Sequence, residues 1–274
     1  MYYGTIRKQK QITKEYLSGG TVTTETNYVY DGVKHNQLTE ESTTNSKGEI
    51  LKKTYKYVPD YNAASTTILG KMEAKNMIVP IETKTFNGST QISHQKTDYY
   101  EPYTGIFLPQ YVYTKKGGNT TVADRKITYN SYDKQGNLTQ YTLENGIPVS
   151  IIWGYNGQYP IAKIEGTAYN QISIDFIKEL QNLSNQDNDR CYGLDGSCKE
   201  SNLRKRLNEF RSNGLFTNSM VSVYTYDPLV GVTSIMQPNG QTEYYNYDSS
   251  NRLQSIVNDK KEVLKTFEYN YRQP

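Results

Sequence analysis

A Tyr-Asp pair that recurs at a fixed spacing is the feature that most constrains how this chain can fold. The segment YTYDPLVGVTSI is followed 21 residues later by YNYDSSNRLQSI, so that Asp227 and Asp248 occupy equivalent positions. A third copy follows Asp133, and a looser copy with a longer loop follows Asp31. Internal repetition of this kind indicates that one small structural unit is stacked along the chain. The predicted repeat-motif positions are Tyr30, Asp31, Tyr132, Asp133, Gly136, Gly146, Tyr226, Asp227, Gly240, Tyr247, Asp248 and Leu253.

Each repeat is predicted to be a strand, a turn and a strand. Gly136, Gly146 and Gly240 follow residues that tolerate tight turns. A tyrosine ring packs over a neighbouring strand while its hydroxyl reaches water or a backbone group, and the aspartate is expected to accept hydrogen bonds from backbone N–H groups of the following turn. The pattern predicts a mainly β fold, with antiparallel hairpin repeats in a continuous, partly open curved sheet. It favours a structural role for the Tyr-Asp pair over a catalytic one.

Between about Tyr169 and Asn213 the apolar period changes from that of a strand to that of a helix. Apolar residues recur at i, i+4 and i+7 in both halves of this segment, which predicts a helical hairpin inserted between β units. Ser197 followed by Glu200 fits a capping box, and Gly214 is placed to end the second helix. The charged residues of the second helix are expected to form a solvated face: Glu200, Arg204, Lys205 and Glu209.

The composition excludes several classes of protein. The chain has 31 Lys and Arg against 28 Asp and Glu without a basic cluster, which argues against a nucleic-acid surface. It has no apolar run near the about 18 residues of a membrane-spanning helix, so no membrane insertion is expected. Tyr, Val, Ile and Thr are common, which argues against disorder. The two cysteines, Cys191 and Cys198, are spaced to allow a disulfide across a six-residue loop, and the sequence does not decide whether it forms.

The residue types that catalysis or metal binding needs are scarce. The only histidines, His35 and His94, are far apart in polar surroundings, so no Ser-His-Asp triad is expected. Asn185, Asp187 and Asp189 match the first, third and fifth positions of an EF-hand loop, but the required Gly and Glu that should follow are missing. A polar loop between helices is expected instead. We therefore predict no catalytic residue, no cofactor and no metal.

One group of tyrosines lies outside the clear repeats, in the segment DYYEPYTGIFLPQYVY. Exposed aromatic faces stack on sugar rings, so a carbohydrate-binding surface is an alternative function for this segment. The competing interpretation is that the rings cap the sheet. The cluster consists of Tyr99, Tyr100, Tyr103, Tyr111 and Tyr113.

The repeats YTYDPLVGVTSI, YNYDSSNRLQSIVNDKKEVL and YDKQGNLTQYTLENG resemble the RHS/YD-repeat family of bacterial surface and secreted proteins, most clearly over residues 125–274. In that family the hairpins wind into a continuous sheet, which closes as a hollow shell in complete members. The resemblance implies three regions: β-hairpin repeats over 1–166, a helical hairpin insertion over 167–215, and two further repeats over 216–274.

The resemblance implies a non-enzymatic, extracellular or cell-surface role in a shell that displays or encloses a partner domain. Glycans or neighbouring repeats of the same longer chain are the implied partners. A second alternative is a truncated delivery shell of a polymorphic toxin, although the sequence carries no autoproteolytic segment and no effector after YNYRQP. Four repeats are too few to close a shell, so the chain is expected to be the C-terminal portion of a longer member. Its open strand edges predict self-association.

Overall fold

The computed structural model describes residues 6–45, 47–116 and 124–270. Residues 271–274, at the end of the last predicted repeat, lie outside this description. The helices are α1 (Ile68–Ala74), α2 (Ile174–Gln186) and α3 (Lys199–Arg211), with short 3-10 helices at 58–61, 169–171 and 214–216. The strands are β1 (Lys10–Leu17), β2 (Gly20–Val29), β3 (Glu40–Thr44), β4 (Ile50–Tyr57), β5 (Pro80–Asn87), β6 (Thr90–Tyr103), β7 (Ile106–Lys116), β8 (Asp124–Tyr132), β9 (Leu138–Leu143), β10 (Pro148–Gly154), β11 (Tyr159–Glu165), β12 (Met220–Asp227), β13 (Gly231–Met236), β14 (Thr242–Tyr247), β15 (Leu253–Asn258) and β16 (Val263–Thr266).

The strands form one antiparallel sheet in which the spatial order is the chain order, from β1 to β16. Within the described residues, β1 pairs with β2 alone and β16 with β15 alone, so the sheet is not closed and keeps two open edges. The predicted fold class is thereby confirmed: a mainly β chain of antiparallel hairpins with a helical insertion. Across the described ranges, no helix combines the length and the apolar character that crossing a membrane requires.

Contacts divide the chain into two compact units, residues 1–128 and residues 129–274. The first unit has a small apolar core of Val58, Met72, Ile81 and Phe107, to which α1 contributes. The second unit has a larger core, in which α2 and α3 cover β10, β11 and β12. The predicted regions are bounded by the repeats and the insertion in the sequence, whereas these two units are bounded by contacts between residues. The helical insertion and the last two repeats therefore lie in one unit.

The 21-residue sequence period is reproduced in the register of the sheet. A β-bulge interrupts the β12–β13 ladder before Tyr226, whose register partner is Val232. The β14–β15 ladder has the same irregularity before Tyr247, whose partner is Leu253. Both members of the second pair lie 21 residues after those of the first. The Tyr-Asp repeat is therefore a repeat of hairpin geometry, including its bulge.

The tyrosine of the Tyr-Asp pair ties neighbouring strands together through its hydroxyl group. The Tyr247 hydroxyl donates to the carbonyl of Val232 at 2.9 Å. Tyr269, which follows β16 and is not part of a Tyr-Asp pair, donates in the same way to the carbonyl of Leu253 at 2.8 Å. These two acceptors are the residues at the bulges. Tyr226 donates in the same way to the carbonyl of a β11 residue, at 3.0 Å. The expected contact between the hydroxyl and a backbone group is confirmed for these tyrosines.

The aspartate of the pair caps the turn in two of the four copies. Asp133 Oδ1 accepts hydrogen bonds from the backbone N–H groups two and four residues later, both at 2.9 Å. Asp248 Oδ1 accepts the equivalent bonds at 2.8 and 3.0 Å. Asn45 and Asn258 cap turns between strands by the same two contacts. A carboxylate or an amide oxygen thus serves the same structural purpose.

Five turns close with the same pair of backbone hydrogen bonds and share a left-handed residue two positions before the next strand begins. That residue has φ between 59° and 89°, as a three-residue hairpin loop with a bulge requires. Glycine adopts this conformation freely, and asparagine or lysine adopts it at a cost. The five positions are Gly48, Gly136, Gly240, Asn251 and Lys261.

Asp31 and Asp227 depart from the predicted turn-capping role. The turn after Asp227 places its left-handed residue, Leu229, one position earlier than the other turns do. The Asp227 carboxylate instead forms an ion pair with Arg190 of the insertion, at 2.5 Å. Asp31 precedes a longer loop and accepts a hydrogen bond from the Thr39 hydroxyl. Loop length and turn type therefore decide what each aspartate binds.

We expect Gly240→Ala to lower the free energy of unfolding by about 1–2 kcal/mol, because φ of +88° is unfavourable for a residue with a Cβ atom. Gly214→Ala is the matched control: its Cβ would meet open space and its φ is not left-handed. That variant should stay within about 0.5 kcal/mol of wild type. Urea denaturation followed by circular dichroism measures both. Equal losses in the two variants would contradict this account of the turn.

Candidate functional site

The helical insertion is held on the sheet by an apolar stripe on each helix. Ile177 and Leu180 of α2 and Leu203, Leu207 and Phe210 of α3 are buried in the core of the second unit. These residues recur at helical spacing, so each helix presents one continuous apolar face to the strands. The predicted helical hairpin therefore forms, and its packing places several polar side chains at the base of the insertion.

Glu200 and Arg204, one helical turn apart on α3, form an ion pair that is buried between the helix and the sheet. Glu200 Oε1 lies 3.0 Å from Arg204 Nη1, and each side chain is 3% exposed or less. Glu200 also accepts hydrogen bonds from the hydroxyl groups of Thr225 on β12 and Thr233 on β13. The predicted solvated face is wrong for Glu200 and Arg204, whereas Lys205 and Glu209 are exposed. The two buried charges compensate each other and anchor α3 to the sheet.

A second buried polar contact links the end of α2 to the strands. The Tyr155 hydroxyl donates to Asp187 Oδ2 at 2.7 Å and accepts from the backbone N–H of Tyr226 at 2.9 Å. Burial raises the pKa of Asp187 to about 7, an effect that the hydrogen bond from Tyr155 opposes. Burial also raises the pKa of Tyr155 far above its ordinary value, so this hydroxyl keeps its proton.

One acidic residue of the loop between α2 and α3, Asp189, caps α3. Asp189 accepts hydrogen bonds from the backbone N–H groups of Lys199 and Glu200, at 3.3 and 3.1 Å. Hydrogen bonds from Ser197 and Ser201 lower the pKa of Asp195 to about 2. Over the described ranges, no group of three or more His, Cys, Asp or Glu side chains is arranged to hold a metal ion. Of the three residues with EF-hand-like spacing, Asn185 lies in α2, Asp187 is bound to Tyr155 and Asp189 caps α3.

The helix boundaries differ from the sequence prediction by a residue or more. The N-cap of α3 is Cys198, whose sulfur accepts from Ser201 N at 3.4 Å, so the predicted capping box of Ser197 and Glu200 is wrong. Glu200 is instead drawn into the buried ion pair. The predicted terminator Gly214 begins a 3-10 helix, because α3 ends at Arg211.

Cys191 and Cys198 are joined by a disulfide that closes the loop before α3. The loop forms one wall of a cavity of about 250 Å³ against β14. Arg190, Tyr192, Arg204, Tyr244 and Tyr247 contribute to its lining. Arg190 is paired with an aspartate on β12, and Arg204 with Glu200. Charges in the cavity wall are therefore compensated, and the lining residues include no imidazole or free thiol that would act as a base or nucleophile.

The tyrosine cluster of the first unit lies on β6 and β7. All five rings are half-buried rather than exposed, and Tyr99 packs against the small core that contains Phe107. The rings of Tyr111 and Tyr113 are 6.0 Å apart. Burial raises the pKa of Tyr100. These positions fit rings that cover the sheet better than a flat exposed platform for sugars.

The sequence gives no sign of a pair in the first unit between a buried histidine, His35, and a half-buried carboxylate, Asp60. His35 Nε2 lies 3.0 Å from Asp60 Oδ1, and its Nδ1 accepts a hydrogen bond from the backbone N–H of Gln37 at 3.1 Å. Because Nδ1 accepts a hydrogen bond, the imidazole proton is on Nε2, and this N–H group donates a hydrogen bond to Asp60. A Cβ at Gly32 would lie 2.4 Å from this imidazole, so glycine is required there. With both ring nitrogens occupied, the pair stabilises the loop before β3.

We expect Arg204→Met to lower the free energy of unfolding by about 3–5 kcal/mol, because it leaves the buried Glu200 carboxylate without its counter-charge. Lys205→Met is the matched control on the exposed side of the same helix. It should change stability by less than about 0.5 kcal/mol. Adding Glu200→Gln to Arg204→Met should recover part of the loss. Denaturant titration of the four proteins tests this, and similar values for Arg204→Met and Lys205→Met would refute it.

The raised pKa of Asp187 makes stability depend on pH. The folded carboxyl, with a pKa of about 7, binds its proton more tightly than an unfolded Asp, with a pKa of about 3.9. Its contribution to stability is therefore present below about pH 4 and is lost as the pH rises towards 7. Asp187→Asn has no titrating carboxyl group and therefore does not lose this contribution to stability. The unfolding free energy of the variant minus that of the wild type should rise by up to about 4 kcal/mol between about pH 4 and pH 7. If the unfolding free energies of the two proteins change with pH in the same way, the raised pKa of Asp187 is wrong.

Comparisons with known proteins give structural neighbours only. No protein-family model matches the chain, and no curated protein matches its sequence. The crystal structure of TcdB2-TccC3-Cdc42 matches with a TM-score of 0.40 and 9% identity, over 94% of this chain and 12% of that chain. The Photorhabdus luminescens Tc holotoxin pore matches with a TM-score of 0.37 and 10% identity, over 95% and 12% of the two chains. This chain thus spans 12% of the length of either neighbour. Similarity of this size assigns it neither a family nor a function, and membership of the RHS/YD-repeat family stays a prediction.

Proposed function

We propose that this chain is a non-enzymatic structural segment of a secreted or cell-surface Tyr-Asp repeat protein. Its sheet forms part of a β-shell that displays or encloses a partner domain. The observation that carries the proposal is the open hairpin ladder, in which β1 and β16 each pair on one side within the described residues. Unpaired strand edges offer N–H and C=O groups to further strands. Neighbouring repeats of a longer chain are the proposed partners.

The use of the buried charged groups supports a structural role. Glu200 and Arg204 form an ion pair with each other and hydrogen bonds with groups of the surrounding loop and strand. Asp187 is bound to Tyr155, and Asp189 caps α3. A catalytic acid or base needs a free position facing a substrate. These carboxylates face their own fold instead.

The geometry of β1 identifies which of its backbone groups face the open edge. The backbone N–H of Tyr28 donates to the carbonyl of Gln9 at 2.9 Å, so these two residues form a hydrogen-bonded pair. Bonded and non-bonded pairs alternate along an antiparallel ladder. The register Thr13 opposite Thr24 is then a bonded pair, and the N–H and C=O groups of Ile12 and Lys14 point away from β2. Every side chain of β1 is exposed.

We expect the chain to self-associate through its open edges and Lys14→Pro to weaken that association. Proline at residue 14 removes an N–H group that faces the edge and spares the β1–β2 ladder. Thr13→Pro is the matched comparison, because it removes a ladder hydrogen bond and should destabilise the β1–β2 hairpin itself. Sedimentation velocity over a range of concentrations measures association, and hydrogen exchange of β2 separates the two variants.

Two outcomes would overturn the proposed function. The first is a chain that stays monomeric at all concentrations, since open edges would then not pair with other strands. The second is turnover of a glycosidase, esterase or protease substrate that a single substitution, such as Asp187→Asn, abolishes in a folded protein. Absence of turnover together with association that Lys14→Pro weakens is the expected result.

A further inference from the structure

The loop closed by Cys191 and Cys198 supplies backbone groups to the buried ion pair. The backbone N–H of Cys191 donates to Glu200 Oε2 at 3.1 Å, and its carbonyl accepts from Arg204 Nη2. The carbonyl of Gly193 accepts from Arg204 Nε at 3.1 Å. Charges removed from water need such hydrogen bonds, since an incompletely bonded buried ion is strongly destabilising. The conformation of this loop therefore controls how well the ion pair is satisfied.

The same loop reaches the strands at the far side of the cavity. The Tyr192 hydroxyl donates to the side-chain carbonyl of Asn246 on β14, and its ring lies 5.1 Å from that of Tyr244. The Lys261 ammonium group lies over the Tyr192 ring, 5.3 Å from its centroid. Loop residues thus contact β14 and the turn after β15. These contacts link the helical insertion to the last two hairpins.

The disulfide holds this loop at both ends. Cys191 carries the groups that bind the ion pair, and Cys198 is the N-cap of α3. Both cysteines are half-buried, so a small reductant reaches the bond more easily than it would in a closed core. A crosslink of this kind restricts the alternative conformations of the loop that it closes. Without it, the residues from 191 to 198 are held by their hydrogen bonds, their ring contacts and the packing of Leu194 against the core.

We propose that the Cys191–Cys198 disulfide is a redox-sensitive clamp that holds the helical insertion on β12–β15. A dithiol reductant cleaves the S–S bond with two electrons and two protons, which yields two cysteine thiols and the cyclic disulfide of the reductant. The released loop withdraws the Cys191 and Gly193 carbonyls from Arg204, opens the cavity and loosens the contacts of Tyr192 with β14. This proposal concerns regulation of the insertion and does not depend on the proposed shell function.

The clamp is tested by hydrogen exchange of the full chain before and after reduction with dithiothreitol. Reduction should speed amide exchange over residues 187–204 and in β14 by about tenfold or more. Exchange in the β5–β6 hairpin (residues 80–103), which belongs to the other unit, should stay unchanged. Alkylation of the free thiols, followed by mass spectrometry, reports the redox state of each sample.

The variant Cys191→Ser with Cys198→Ser is the matched control, because it removes the only two cysteines of the chain. It should exchange like the reduced wild type and should not respond to dithiothreitol. If this variant does not fold, comparison of the oxidised and reduced wild type still decides the question. Unchanged exchange after verified reduction, full alkylation before reduction, or an equal rise in the β5–β6 hairpin would each overturn the clamp.

Discussion

Hydrogen bonds from tyrosine hydroxyls to backbone carbonyl groups of neighbouring strands and loops help to fix the register of the hairpins in this sheet. Tyr247 and Tyr269 make them at the two bulges of the last repeats, and Tyr57 makes one to Leu38 in the first unit, at 2.9 Å. Much of the sheet is only half-buried, so aliphatic side chains alone would give it little cohesion. A tyrosine supplies ring area and a directed hydrogen bond from one side chain. At these positions the hydroxyl gives tyrosine an advantage over phenylalanine, in a chain with 27 Tyr and 6 Phe.

The helical insertion depends on a different interaction, the buried pair of Glu200 and Arg204. Apolar packing specifies the position of α3 on the strands only weakly, because the hydrophobic effect has no preferred direction. The ion pair adds fixed directions, since Glu200 binds two threonine hydroxyls of the sheet and Arg204 binds the carbonyls of the loop. Buried ions confer this kind of specificity at the expense of desolvation.

The sequence predicted the hairpin repeats because turn residues and alternating strand residues are local signals. It also predicted both helices from their apolar spacing. It does not predict the burial of Glu200 and Arg204, because charged residues of a helix are mostly exposed. With Leu203 and Leu207, however, they occupy one i, i+3, i+4, i+7 stripe. The pair of His35 and Asp60 joins residues 25 positions apart, and no local pattern encodes such a contact. The disulfide likewise depended on a loop path that spacing does not determine.

The direct pairing of β11 with β12 has a consequence for the order in which the chain folds. Glu165 lies opposite Met220 in the sheet, yet residues 166–219 separate them along the chain. Most other neighbouring strands are joined by short turns and meet after closing a small loop, whereas this pair must wait for a long segment to compact. We therefore expect the hairpins on either side to form first and the pairing of β11 with β12 to form last. The helices that interrupt the ladder thus set the pace at which its final part is completed.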